Sequence, residues 1–331
     1  MESTTRCHFH CSGCYMTQRH ALNKGEMSLE RAIRFLDLSE QYLGRNLETM
    51  DILGGEPLQW PPLPFYIEEL LRREIKPWIF TNMVEIDPNR ASWLLERGVF
   101  ITGKLNIADP GDPEQMALQA ELIGSTVEMA GRMIKGIDVL LAAGYREPFF
   151  RLENLMRRKN LHLVPGFIEF CRARGIGMDV EIMGSCVPLG PHYFEVAPTA
   201  QELADLVRTL MRTGDGSSGS ILSVDQLLMP HMFGSCRFFD SGLYFAVDGT
   251  IRACSNSNVV LAHIDDPDPI RTAYESPLIC ARKALTRTSV GQPCGSCDRW
   301  EQCRGGCRAT VEATGDPFGG YPLCPLPLLC K

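Results

Sequence analysis

Twelve of the fourteen cysteines in this 331-residue chain crowd into two knots, one near each end, with Cys171 and Cys186 alone between them. Such clustering limits how the chain can be built, because thiols at short regular spacings have to be used together. In a small exported protein they would form a disulfide framework. No charged-then-apolar export signal opens this sequence, and in a reducing compartment clustered thiols favour metal or cluster ligation. Cys171 is different: it lies in the apolar stretch Phe167–Arg172 and reads as a buried, idle thiol.

The first knot is Cys7-His8-Phe9-His10-Cys11-Ser12-Gly13-Cys14, a C-x3-C-x2-C run. Electron-transfer clusters are held as a rule by four cysteines. Three local thiolates and no fourth point to an iron–sulfur cluster with one iron left for another ligand. A zinc knot or a ferredoxin-type cluster is the alternative, although zinc sites are built from C-x2-C pairs.

At 44% apolar residues the chain can bury a full core. Its formal charge of −7, with acids and bases interspersed, argues against a nucleic-acid partner, which needs a concentrated basic face. No run of apolar residues is long enough to span a bilayer. The chain therefore reads as a soluble, cytoplasmic protein with neither a nucleic-acid nor a membrane partner.

Short apolar runs at Met50–Leu53, Pro77–Thr81, Val99–Leu105, Pro148–Leu152 and Met178–Met183 predict strands. Amphipathic stretches at Ser28–Leu43, Phe65–Glu74, Asn89–Arg97, Pro113–Ala143 and Val164–Arg174 predict the helices around them. This alternation predicts an α/β fold, a parallel sheet with outer helices. About six βα units fit into residues 1–195, which suggests a partial (β/α)6 TIM-like barrel. Residues 197–213 predict one more helix, and 214–220 a flexible linker, so 196–230 forms a connecting segment. From 231 to 331 the texture turns Cys-, Gly- and Pro-rich, with short strands such as Leu243–Val247. That region is expected to depend on metal ligation for its fold.

At the head of a barrel pattern and followed by Tyr15, the Cys triplet resembles the radical S-adenosylmethionine (radical SAM) superfamily. The resemblance implies that Cys7, Cys11 and Cys14 hold a 4Fe–4S cluster whose unique iron chelates S-adenosylmethionine (SAM). One electron then cleaves SAM to a 5′-deoxyadenosyl radical. Gly54-Gly55-Glu56-Pro57, at the end of the Met50–Leu53 strand, resembles the family's GGEP motif, whose backbone and carboxylate meet the methionine ammonium. Glycines admit close backbone approach, and a carboxylate pairs with a cation. Barrel enzymes place ligands at C-terminal strand ends, which adds Thr81, Asn82, Lys104, Asn106, Arg151, Asn154 and Glu181 as cavity candidates. By analogy, Asn106 would meet the ribose hydroxyls and Arg151 the SAM carboxylate. The family often carries an apolar or aromatic residue before the third Cys, where this chain has Gly13. Adenine packing then falls to Tyr15 or Phe9.

The second knot comprises Cys236-x12-Gly249-x4-Cys254, then Cys294-x2-Cys297-x5-Cys303-x3-Cys307, then Cys324. It resembles the SPASM pattern, which implies two auxiliary 4Fe–4S clusters. Cys236, Cys254 and Cys307 would hold the first, and Cys294, Cys297, Cys303 and Cys324 the second. The first set lacks a fourth thiolate, so its remaining site is expected to be open or filled by His231, Cys280 or Cys330. A zinc ribbon of Cys294 and Cys297 with Cys303 and Cys307 is the competing reading. Cys186, just past the last barrel strand, is a candidate hydrogen-atom donor to a substrate radical, as in some family epimerases, or an idle thiol.

Together the knots imply an oxidoreductase with three 4Fe–4S clusters. It would take an electron from a flavodoxin- or ferredoxin-type donor and remove hydrogen from an unactivated C–H. The first cluster Cys stands at position 7, so no leader-binding domain is expected ahead of the barrel. The expected substrate is therefore a small polar natural product of sugar, aminocyclitol or aminoglycoside type, dehydrogenated or epimerised as in antibiotic biosynthesis. The alternatives are a maturase of a ribosomal precursor peptide and a non-catalytic iron–sulfur or zinc protein.

Overall fold

The computed structural model of the chain describes residues 1–16, 25–185, 192–213, 242–257 and 259–329. The linker expected at 214–220, with Cys186, His231, Cys236 and Cys330, lies outside the described residues.

Five strands, β1 (Thr49–Ile52), β2 (Lys76–Thr81), β3 (Phe100–Lys104), β4 (Phe150–Met156) and β5 (Gly177–Ile182), form one sheet in that order, every pair parallel. The helices around them are α1 (Leu29–Leu43), α2 (Leu63–Arg72), α3 (Pro88–Glu96), α4 (Pro113–Leu122), α5 (Val127–Ala142) and α6 (Val164–Arg174). β1 and β5 do not pair, so the sheet is the open, partial barrel expected. Local chemistry starts the helices. The Ser28 hydroxyl accepts from Arg31 N–H, and Asp87 and Asp112 cap α3 and α4 with Pro in the following position.

The sixth unit comes from a segment whose polar sequence gives no strand signal. Residues 2–6 run parallel to β1 and its extension: Ser3 N–H donates to Leu53 O (2.8 Å), Gly55 N–H to Thr4 O (2.7 Å) and Glu56 N–H to Arg6 O (2.7 Å). On other edges of this ribbon, Met27 N–H donates to Ser3 O (2.9 Å) and Glu2 N–H to Phe245 O (2.8 Å). Glu2, Ser3 and Thr4 are buried. Backbone pairing holds the ribbon, and side-chain periodicity does not report backbone pairing.

The helical region expected over Pro113–Ala143 is in fact two helices, α4 and α5. They part at Gly124, which holds φ at +58°, and Thr126 caps α5 by accepting from Met129 N–H at 3.2 Å. The break is where the first Cys knot docks. His10 N–H donates to Ile123 O at 3.0 Å, and a Cβ on Gly124 would stand 2.2 Å from His10 O.

After β5 come α7 (Tyr193–Val196) and α8 (Ala200–Thr213). An antiparallel sheet follows, of β6 (Tyr244–Phe245), β7 (Thr250–Arg252) and β8 (Val260–His263). Short helices complete the chain: α9 (Pro269–Tyr274), α10 (Pro277–Lys283), α11 (Trp300–Cys303), α12 (Arg308–Glu312) and α13 (Leu326–Leu329). α8, expected within a connecting segment, is tied to α13 by Arg208 Nη2 donating to Leu328 O at 2.5 Å. Ring stacking joins the first region to the second, Phe35 on Phe245 (4.6 Å) and Tyr42 on Tyr274 (5.4 Å). No helix among the described residues is long and apolar enough to cross a membrane.

Candidate active site

The first Cys knot leaves the buried ribbon at Arg6 and passes the C-terminal ends of β2, β3 and β4. Asn82, next after β2, places Nδ2 3.8 Å from Cys7 Sγ. Cys11 feels the charges of Arg157, next after β4, and of Lys104, the last residue of β3. Cys14 N–H closes a turn onto Cys11 O at 3.1 Å, with Gly13 at φ +77°. A side chain at position 13 would be strained in that turn, which accounts for glycine where an aromatic residue is frequent. Burial pushes the Cys7 thiol up to about 11 and the Cys11 thiol to about 12, and repulsion from Cys14 adds to both.

The GGEP turn is a clamp between the ribbon, β1 and β2. A Cβ on Gly55 would lie 2.0 Å from Arg6 O, and one on Gly54 (φ +138°) 2.6 Å from Thr4 O. The close approach these glycines permit is therefore that of the ribbon feeding the Cys loop. Glu56 is wholly buried; it accepts from Thr81 Oγ1 (2.7 Å), Asn82 N–H (2.7 Å) and Leu58 N–H (3.1 Å). Burial lifts its carboxyl to about 7 against the pull of these donors. Pro57 opens the short 3-10 turn that follows. His8 is gripped between Glu85 Oε1 (2.8 Å) and Gln59 Nε2 (2.7 Å), which anchors the loop from below.

Arg151 does not reach this site. It is the second residue of β4, in register with Gly177 at the start of β5, about 16 Å of strand away from the C-terminal end. Its guanidinium is held by both oxygens of Asp179 (2.8 Å each) and by Met178 O. Asn106 is at the correct end, but its side-chain oxygen accepts from Leu155 N–H at 3.2 Å and so ties β3 to β4. Phe9 is buried in the core, whereas Tyr15 is half-buried and meets Tyr244 edge-on at 6.2 Å. Lys104 pairs with the buried Glu153, whose carboxyl is raised by burial against the pull of Lys104. Asn154 is buried, and its Nδ2 finds no partner. Glu181 lies half-buried on β5, beside Glu153.

Sequence reasoning missed Arg157. It is buried, donates from Nη1 to Ser12 Oγ at 2.8 Å, and bears directly on Cys11. The signal that could have found it is a cation immediately after a barrel strand, once that strand's end is placed correctly.

The second knot sorts into two sets. Cys254 is pushed up to about 12 by burial and then by Cys307. Separately, Cys303 and Cys324 each feel Cys294 and Cys297, and Cys294 feels Cys297. The resemblance implies the same two sets, and Cys236 of the first lies outside the described residues. Cys280 is exposed on α10, and its thiol donates to Glu275 O. The first set touches the barrel: a Cβ on Gly184, just past β5, would lie 3.7 Å from Cys307 Sγ, and Ser185 N–H donates to Thr310 Oγ1 at 3.0 Å.

These donor sets fit iron–sulfur clusters. Clustered thiols raised so far by burial are neutral unless a cationic centre holds them as thiolates. Arg308, buried beside Cys294 and Cys307, leaves Nε and Nη1 without partners, as suits a cation facing an anionic cluster. Among the described residues, no three His, Cys, Asp or Glu side chains converge as one metal ion requires.

No family model matches the chain. It is 24% identical over 206 residues to a probable GTP 3′,8-cyclase of Methanococcus maripaludis, a match covering 61% of this chain and 64% of the cyclase. It is 22% identical to the mycofactocin maturase MftC of Mycobacterium ulcerans, over 96% of this chain and 85% of MftC. Among solved structures, anSMEcpe with bound AdoMet shares the fold at a TM-score of 0.72 and 15% identity, covering 97% of this chain and 92% of that one. SuiB of Streptococcus suis, bound to its precursor peptide SuiA, does so at 0.64 and 17%, covering 97% and 73%. A thiol triplet at the strand ends and a GGEP clamp beside it thus stand on a fold that the chain shares along nearly its whole length with anSMEcpe and SuiB.

Proposed function

We propose that the chain is a radical SAM enzyme with a SPASM-type C-terminal domain and that it modifies a peptide. The observation that carries the reading is the extent of the likeness. The cyclase match takes in about three fifths of the chain, whereas the maturase MftC and the peptide-bound SuiB and anSMEcpe structures match nearly all of it. The second region, with its clustered thiols, is therefore part of what is shared with anSMEcpe and SuiB, both solved with bound peptides. The small sugar-type substrate expected from the sequence has no such support.

In this reading Cys7, Cys11 and Cys14 hold the SAM-binding cluster. Cys254 and Cys307, with Cys236, hold one auxiliary cluster, and Cys294, Cys297, Cys303 and Cys324 hold another. With an electron from a flavodoxin- or ferredoxin-type donor, cluster and SAM together supply the power to remove hydrogen from an unactivated C–H. The chain's own residues do the rest. Glu56 fixes the end of β1 against the end of β2, so that Asn82 stands beside Cys7. Arg157 and Lys104 bring positive charge to the strand ends, where the SAM carboxylate needs it, in place of Arg151. Residues 1–195 carry this site, the helix Ala200–Thr213 links it onward, and the region from 231 supplies the auxiliary thiols.

The test is anaerobic turnover with reconstituted clusters, SAM and dithionite. 5′-Deoxyadenosine should form, and a precursor peptide encoded beside the gene should lose two hydrogens or gain a cross-link by mass spectrometry. Turnover of an aminoglycoside-type compound with every such peptide left unchanged would overturn the peptide reading.

A further inference from the structure

A second cavity, separate from the strand ends, opens on the outer side of the GGEP turn. It is a cleft of about 540 Å³ lined by residues of that turn, the start of α2, and α3. Leu58, Trp60 and Leu94 are buried in its lining, and Trp93 is half-buried there. Arg97 stacks on the Trp93 ring at 4.2 Å while paired with Glu68, so the indole is held in place and that cation is neutralised. Among the described residues, Arg90 is then the charged residue of the lining, and no carboxylate lines the cleft. Its Nη1 donates to a backbone carbonyl, Glu85 O, at 2.9 Å. Phe65, on the first turn of α2, is 69% exposed and extends the apolar surface beside Pro64.

Size and chemistry together define an occupant. Several hundred cubic ångströms is ligand-sized, apolar walls take an apolar side chain, and an unneutralised guanidinium takes a carboxylate. Gln59 connects this cleft to the chemistry. It lines the cleft, its carbonyl accepts from Arg6, and its Nε2 lies 2.7 Å from His8 Nε2, one residue from Cys7. We propose that the cleft anchors a substrate peptide through an apolar side chain followed by an acidic one, holding the chain against the outside of the SAM-site loop. This rests on the peptide reading above. It adds where part of that peptide binds and what its sequence must offer.

The test uses the full-length, cluster-reconstituted protein and fluorescence anisotropy. The probe is a labelled Gly/Ser peptide carrying one Leu-Phe-Glu step, with Leu-Phe-Gln and Ala-Ala-Glu peptides as controls. Saturable binding is expected for Leu-Phe-Glu. Arg90→Gln should weaken it on the order of tenfold, as loss of a charge-assisted hydrogen bond does, and Arg90→Lys should keep most of it. SAM cleavage without peptide should be unchanged in both variants, which separates loss of the anchor from loss of the fold. Equal binding by wild type and Arg90→Gln, or equal binding of Leu-Phe-Glu and Ala-Ala-Glu, would overturn the cleft while leaving a peptide substrate intact. If no probe binds and the neighbouring precursor peptide is not modified either, the peptide reading and the cleft fall together.

Discussion

The two thiol-bearing regions are built on opposite plans. Around Cys7, Cys11 and Cys14 the scaffold is complete without the thiols. The ribbon is bonded along both edges, the Glu56 clamp is internally satisfied, and the three cysteines are half-buried rather than part of the core. In the second region Cys254, Cys294 and Cys303 are themselves core residues. Among the described residues, regular structure there amounts to a three-stranded sheet, short 3-10 turns and α-helices of four to seven residues. A thiol that serves both as packing and as ligand makes the cluster part of the fold. On the proposed reading, the finished framework of the first region would receive its cluster, whereas the cluster of the second would finish the framework.

The largest expected effect tests that contrast directly. Cys303→Ala should lower Tm by on the order of 10 °C or more and expose the chain beyond residue 242 to protease. Cys11→Ala should abolish SAM cleavage while moving Tm by about 3 °C at most. Equal loss of Tm in the two variants, measured on anaerobically purified protein, would break the comparison.

Next is Gly55→Ala. The added methyl meets the Arg6 carbonyl, which is backbone on a ribbon fixed along both edges, so neither side gives way easily. A cost of about 1–3 kcal/mol is expected, together with weaker SAM binding because the Cys loop starts at the next residue. Chemical denaturation and SAM titration read the two effects separately. A stable variant whose SAM affinity is unaltered would mean that the loop is not positioned by this clamp.

The smallest effect sharpens what the clamp does. The Glu56 carboxyl titrates near 7 in the folded chain against an ordinary 4.5, chiefly through burial. A raised carboxyl binds a proton that the unfolded chain has already released. Its contribution to stability is therefore full below pH 4.5, declines as pH rises to about 7, and is constant above. Glu56→Gln has no such proton, so wild-type stability relative to the variant should fall across that window in cluster-free protein. A difference independent of pH would show that the three donors keep Glu56 ionised throughout.

The legible parts of the molecule were those written in side-chain chemistry. The Cys triplet, the GGEP turn and the second Cys knot stand out by spacing and five strands by apolar runs, whereas the division of that knot into two sets comes only with the family resemblance. What escaped was written in backbone. The ribbon at residues 2–6 has a polar sequence and is held by main-chain bonds. The helix break at Gly124 is recognisable once a loop is seen to need that space. The misplacement of Arg151 has a local cause. Glu153 and Asn154 interrupt the apolar run, so the pattern stops at Leu152 whereas the strand continues to Met156. That difference moves Arg151 from near the end of β4 to its start and hides Arg157 just beyond it.

The bond between the ribbon and β6 has a consequence in time. Glu2 N–H donates to Phe245 O and its carboxylate accepts from Val247 N–H, pairings across 243 and 245 positions of sequence. During synthesis, the strand that leads into the first thiol loop has no partner on that edge until some three quarters of the chain exists. Contacts so distant are slow to form and are made late. The ribbon first in sequence therefore gains its last backbone partner late, and the cluster proposed for its loop would be seated on a framework still waiting for residue 245.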